Sequence, residues 1–416
     1  MGEGHARQPL PGVDAVASVR AERGSRLVEC VRGGLVYHRS MSVPSKPITT
    51  GRDPTPANRL GLDYEAEAGR MGRPVRPIID AHAHINGPRA AAIWKRAADL
   101  YGVVRVYSQT QLSQAASVRG VLGDAVEFIA IPEYMADDRA HAMTRGFLEN
   151  LERWRGEFGA RCVKFWAAPR LRDLVEGMDD PETLVPIDGL WRRKVADRAV
   201  ELGMMLMAHV ADPDTWFATK YADADRYGTK ARQYEGLERM LGWYPVPWLL
   251  AHMGGWPEDL DFLSGLLDRH PNVILDTSAT KWMVRELSAH PREDVAAFLE
   301  RWRGRILFGS DIVTNDEHLA PSDPGAERFG VHLASSEAEA FELYASRYWA
   351  MRTMFETAYL GESPIADPDL MMIDPGRYDE MSAPTLRGLA LPEDMLRLLY
   401  GGAAEATMQA WFDSHR

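Results

Sequence analysis

The sequence predicts an α/β protein built as a (β/α)8 barrel of the TIM type, and three observations predict it. From residue 78 onwards short apolar runs alternate with longer amphipathic stretches, the pattern of βα units on a parallel sheet. Eight such runs fall within about 230 residues, close to the roughly 250 residues of a closed eight-stranded barrel. Five side chains able to bind a metal or move a proton stand at the C-terminal ends of these runs. They converge only if the strands close into a ring around one mouth, which sets the barrel above an open doubly wound sheet.

The strands are expected over residues 78–84, 103–107, 126–132, 161–165, 204–209, 248–252, 273–276 and 306–309. Amphipathic helices are expected between them over 89–101, 142–158, 190–202, 234–242, 258–270 and 293–302. Residues 1–76 are turn-rich and lack sustained periodicity, so they read as an N-terminal extension packed on the barrel, with short strands over 27–31 and 34–37. Residues 77–416 form the barrel and its C-terminal helices. Beyond Asp311 a polar stretch leads to a long helix over 337–360, then a Pro- and Asp-rich connection. A last helical pair covers 392–399 and 403–411, with Gly401-Gly402 as the break.

A net charge of −12 argues against a nucleic-acid partner, because phosphate binding needs a basic surface. Two cysteines, Cys30 and Cys162, are too few for a disulfide framework or a thiolate zinc site and fit a reducing cytoplasm. The first residues lead into no apolar stretch of signal-peptide type, and no run is long enough for a membrane span. The expected partner is a small-molecule substrate, with self-association into a homodimer left open.

The first strand ends in Asp80-Ala81-His82-Ala83-His84, and alternation places His82 and His84 on one face. Two adjacent imidazoles can chelate one divalent cation of the zinc type. The runs ending in His209, His252 and Asp311 add further donors at other strand ends. Asp311 has an alternative job as a helix N-cap, and His209 as a hydrogen-bonded core histidine. Agreement among the barrel-mouth positions favours ligands over both.

Five segments together resemble the amidohydrolase superfamily, in the amidohydrolase-related branch that also contains zinc-dependent decarboxylases. They are Ile79-Asp80-Ala81-His82-Ala83-His84, Ala208-His209, Ala251-His252-Met253-Gly254-Gly255, Leu307-Phe308-Gly309-Ser310-Asp311 and the terminal Leu391-Pro392-Glu393-Asp394 with Leu399-Tyr400-Gly401-Gly402-Ala403-Ala404. The resemblance implies that His82, His84, His209 and Asp311 hold one Zn2+, with Mn2+ or a two-metal site as alternatives. It implies that His252 and Asp311 are the catalytic acid/base groups. Lys164, ending the fourth strand, sits where two-metal relatives carry a bridging carbamylated lysine, and its alternative is a substrate or structural contact. The loops after the strands bring Arg105, Trp166, Arg170, Lys281 and Arg285 forward as substrate-binding candidates, cations suited to an anionic ligand. Trp216, Tyr221 and Tyr227 in the loop after the fifth strand read as a lid. His5, His38, His141, His270, His290, His318, His332 and His415 lack a matching context and read as surface or structural.

Three functions follow. The first is a metal-dependent hydrolase in which a metal-activated water attacks a carboxylate-bearing or cyclic substrate. The second is a zinc-dependent non-oxidative decarboxylase using the same ligands. The third is a non-catalytic metal-binding barrel, which would need its open metal position plugged by a side chain.

Overall fold

The computed structural model describes residues 47–321 and 333–416. The strands expected over 27–31 and 34–37, and His5, His38, Cys30 and His332, lie outside the described residues. The strands are β1 Ile78–His84, β2 Val103–Ser108, β3 Val126–Phe128, β4 Cys162–Trp166, β5 Met205–His209, β6 Trp248–Leu250, β7 Val273–Asp276, β8 Ile306–Leu307 and β9 Ile312–Val313. These nine pair in parallel, in two ladders of order β3-β2-β1-β9 and β4-β5-β6-β7-β8, while Leu360–Glu362 and Thr385–Arg387 form a separate antiparallel pair.

Isolated hydrogen bonds join the two ladders at both seams. Past β3, Ala130 bridges Val163: its N–H donates to Cys162 O at 2.8 Å, and Lys164 N–H donates to its carbonyl at 2.9 Å. At the other seam Ala81 N–H donates to Phe308 O at 2.9 Å, while β9 continues beside β1 with Ala83 opposite Ile312. The ring of eight parallel strands is the expected TIM-type barrel, with β8 interrupted after Leu307 before it resumes as β9.

Burial explains the ring. Alternate strand residues, among them Ile79, Met205, Met207, Leu249, Ile274 and Leu307, fill the interior, and the other faces pack outward on the helices. The helix layer follows the sequence pattern with four differences. Leu112–Leu122 and Thr280–Ala289 are helices that periodicity did not call, and Thr144 splits the expected 142–158 helix into Arg139–Met143 and Arg145–Gly156. The long helix is shorter than expected, Glu337–Glu356.

The last difference is a correction. Gly401-Gly402 does not break the C-terminal helix, which runs on through wider turns from Glu393 to Ser414. The glycine is needed for close approach instead: a Cβ on Gly401 would lie 2.9 Å from Arg76 Nε and 3.2 Å from Pro77 O. This lets Ala403, Met408 and Phe412 plug the interior at the end where the strands begin. Of the expected N-terminal extension, residues 47–76 carry the helix Tyr64–Met71, whose Glu67 accepts from Trp349 Nε1 at 2.9 Å. Among the described residues no helix is long and apolar enough to cross a membrane.

Candidate metal centre

β1 delivers its histidines inward through a bulge. Ile79 and Ala81 face the barrel interior and Ile78 and Ala83 face outward, so strict alternation would carry His82 and His84 out with Ile78. Between Asp80 and Ala83 the strand spends three steps against two of β2, from Val106 to Ser108, and the extra residue swings both rings in. The displaced Asp80 points the other way. Its carboxylate accepts from Ser310 Oγ at 2.6 Å and Tyr348 OH at 2.9 Å, which ties the bulge to β8 and to the Glu337–Glu356 helix.

The strand ends meet at the mouth. Ligand atoms of His82, His252 and Asp311 lie within 4.8 Å of one another, the three-residue donor cluster found among the described residues. Asp311 Oδ1 is 3.3 Å from His82 Nε2 and 3.2 Å from His84 Nε2. The His209 ring stands edge-on to His252 at 4.5 Å, and its Nε2 is 3.0 Å from Asp212 Oδ1. Lys164, buried in the middle of β4, places Nζ 3.1 Å from His82 Nε2. His252 and Asp311 both adopt left-handed backbone, φ 58° and 57°, an unusual conformation for side chains of their size and one that clusters at functional sites. Gly309 makes the convergence possible, since a Cβ there would sit 3.1 Å from Ser278 Cβ and 3.2 Å from His82 Cβ.

Asp276, the last residue of β7, was not singled out in the sequence and organises the cluster. Its Oδ2 is 3.0 Å from His82 Nδ1, and its Oδ1 accepts from the N–H groups of His252 at 2.9 Å and Ser278 at 3.0 Å. A carboxylate closing a buried strand was the available signal. Ser278 Oγ sits 2.8 Å from Nδ1 of both His82 and His252. Those bonds occupy the Nδ1 atoms and make Nε2 the nitrogen each ring can offer a metal, the arrangement by which a carboxylate orients a metal-binding imidazole.

Electrostatics suits a cation. Burial, aided by the Lys164 charge, lowers the His82 pKa; burial alone is the main cause for His252 and brings His84 down to about 4. All three are therefore neutral imidazoles at pH 7. Burial would raise Asp311, but His252, His82 and His84 outweigh it and hold the carboxyl well below its usual range. Burial brings Lys164 down to about 8. Neutral imidazoles beside an ionised carboxylate make an N/O donor set that fits a divalent ion such as zinc or manganese.

The profile of the amidohydrolase family matches residues 55–406, most of the chain. This chain belongs to the amidohydrolase family. Among solved structures it is similar to a 5-carboxyvanillate decarboxylase from Novosphingobium aromaticivorans complexed with manganese, at 11% identity over 83% of this chain and 97% of that one, TM-score 0.39. It is also similar to an amidohydrolase from Burkholderia multivorans with bound zinc, at 14% identity over 80% of this chain and 99% of that one, TM-score 0.36. No curated protein matches the chain.

The remaining candidates divide within this amidohydrolase barrel. Arg105 belongs to the opposite end, which corrects its expected place at the mouth. It bonds Gln409, lies 3.7 Å from Glu127, and lines a cleft with Arg76 and Asp413. Three residues short of the end of β2, it falls roughly 10 Å below the mouth at the rise of a strand. Trp166 ends β4 with its ring 5.7 Å from Tyr134. Arg170 lies near Tyr221 and Lys220 in the loops after β4 and β5, where its charge acts on both. Arg285 is buried and gives most of its donors to Asp367 and Glu286. Lys281, in the first turn after β7, has no hydrogen-bond or ion-pair partner among the described residues. The expected lid aromatics cluster, with Tyr221 5.0 Å from Tyr227 and bonded through its OH to Asp212 at 2.7 Å. His318 is buried and structural, its Nδ1 3.0 Å from Tyr344 OH.

Proposed function

We propose that the protein is a metal-dependent hydrolase acting on a small, carboxylate-bearing substrate, with one divalent ion, zinc by preference, at the barrel mouth. The observation that carries this reading is the convergence of neutral His82 and His252 with the ionised Asp311, braced by Asp276. His82, His84, His209 and Asp311 are the assigned ligands. An ion held there lowers the pKa of a water from 15.7 in bulk to ~7 in the best zinc sites.

Asp311 accepts the proton of the attacking water, since its carboxyl stays ionised at neutral pH. His252, held at Nδ1 by Ser278 Oγ, takes that proton from Asp311 at Nε2 and passes it to the leaving group. Asp276 keeps the His82 ring in place throughout. The low polarity around these buried groups strengthens each charge interaction.

A carboxy-lyase is the second reading, and one observation favours it: the Glu337–Glu356 helix, tied to β1 by the Tyr348–Asp80 bond, carries the Arg347 guanidinium, which meets no carboxylate among the described residues. A cation there suits a substrate whose carboxylate is to be lost. Metal analysis of the purified protein, with an assay of cyclic amides, lactones and aromatic acids, tests both. Hydrolysis products support the first reading and CO2 release the second, whereas a bound divalent ion without turnover leaves the non-catalytic metal-binding barrel.

A further inference from the structure

The Thr280–Ala289 helix starts directly after β7, and its N-terminus lacks a cap. Ala279 occupies the cap position with φ 64° and has no side chain that can accept a bond. Met283 N–H donates to Ala279 O at 3.0 Å, and the N–H groups of Thr280, Lys281 and Trp282 meet no acceptor among the described residues. Three orphan donors at the positive end of a helix attract an anion. Thr280 Oγ1 donates to Ser310 O at 3.1 Å, which fixes this helix start beside the residue preceding Asp311.

Two cations follow on the same helix. Lys281 has neither hydrogen bond nor ion pair among the described residues, and Arg285 lies one turn further along the same helix face. Arg285 is only 8% exposed, yet its Nη2 is buried without a hydrogen-bond partner while its other nitrogens serve Asp367 and Glu286. Arg347 bonds within its own helix, to Leu343 O and Ser346 Oγ, both at 2.9 Å, and meets no carboxylate within bonding distance among the described residues. These charges feel each other: burial lowers the Lys281 pKa, Asp367 opposes this, and Arg347 lowers it further. Asp367 and Asp369 are already taken up by Arg285 and by Trp216 Nε1. A buried donor left unpaired costs on the order of 1–3 kcal/mol, which an anion bound there would offset.

We infer that Lys281, Arg347, the free Nη2 of Arg285 and the uncapped start of the Thr280–Ala289 helix form an anion subsite beside Asp311, built for a carboxylate of the substrate. A planar carboxylate can take one guanidinium edge and the helix N–H groups at once, and an ammonium as a point charge. The Trp282 ring, in the first turn of the same helix, lies 6.0 Å from that of His252 and suits an aromatic body for the bound acid. The inference rests on the metal-centre reading for what becomes of the substrate, but anion binding does not depend on it.

Titration calorimetry with benzoate on the full chain tests this, using protein stripped of metal with chelator and protein reloaded with zinc. The metal-free protein is expected to bind benzoate, more weakly as NaCl rises, and Lys281→Met and Arg347→Met are each expected to weaken it tenfold or more. His82→Ala is expected to bind benzoate like the stripped wild type. Benzoate that binds only when zinc is present, or that binds both variants as well as wild type, would overturn the subsite. Should Arg347→Met fail to fold, Lys281→Met decides alone. A Lys281→Met protein of lower melting temperature and unchanged benzoate affinity would make Lys281 a counter-charge for Asp367 and Asp369, against the proposal. The metal-centre reading fails on a separate measurement, the absence of a bound divalent ion in wild type.

Discussion

Asp276 Oδ2 lies 3.0 Å from Nδ1 of His82, and the same carboxylate receives the backbone N–H of His252 through its other oxygen. One buried acid on β7 thereby sets the ring of a β1 histidine and the left-handed backbone of the histidine after β6. Burial would raise its pKa, but its interactions with His82 and His252 and the Ser278 bond hold it below the usual carboxylate range. Asp276→Asn keeps the shape and removes the charge. It should leave the protein folded and lower metal affinity or turnover by about 10–100-fold, the usual effect of losing such a brace. Equilibrium dialysis against zinc, beside a circular dichroism spectrum, checks it, and a variant with wild-type affinity and rate would remove Asp276 from the site.

His252 and Lys164 decide how many ions the mouth holds. With one ion and His252 as acid/base, His252→Ala should keep its metal and lose turnover by about a hundredfold or more. Lys164→Met should also keep it, although Lys164 Nζ lies 3.1 Å from His82 Nε2. Elemental analysis counts ions per chain. Two in wild type with one in each variant would replace this assignment by a bridged pair.

Tyr348 couples the long helix to the bulge of β1. Its OH donates to Asp80 Oδ2 at 2.9 Å and accepts from Trp94 Nε1 at 3.0 Å, and all three side chains are buried. Tyr348→Phe strands the indole donor and strips the carboxylate of one partner, so urea unfolding should register a loss of about 1–3 kcal/mol. An unchanged midpoint and slope would mean that neither bond contributes to stability.

Cys162 faces the barrel interior from the first position of β4 and is fully buried, which pushes its thiol pKa up. In a Cys30→Ser protein, iodoacetamide at pH 8 should leave the native thiol unmodified for hours and react within minutes in guanidinium. Mass spectrometry reads both. Rapid labelling of the native protein would contradict a sealed barrel interior.

The sequence by itself determined the barrel, because burial on both faces makes each parallel strand a short apolar run and spaces the runs by one helix. It also marked His82, His84, His209, His252 and Asp311, since strand ends are where a barrel presents chemistry. It could not reveal Asp276 as a brace, because an acid at a strand end reads equally as a cap. Nor could it place Arg105 at the base, because a residue's depth along a strand depends on where the neighbouring strands pair with it. The tertiary structure alone decided three things. The bulge between Asp80 and Ala83 turned two histidines inward, Gly401 and Gly402 let Arg76 and Pro77 approach closely within a continuous helix, and Tyr348, mid-helix and far away in sequence, came to bond Asp80. Periodicity reports which face of an element is buried, whereas a long-range contact depends on how separate elements pack, and no local pattern carries that information.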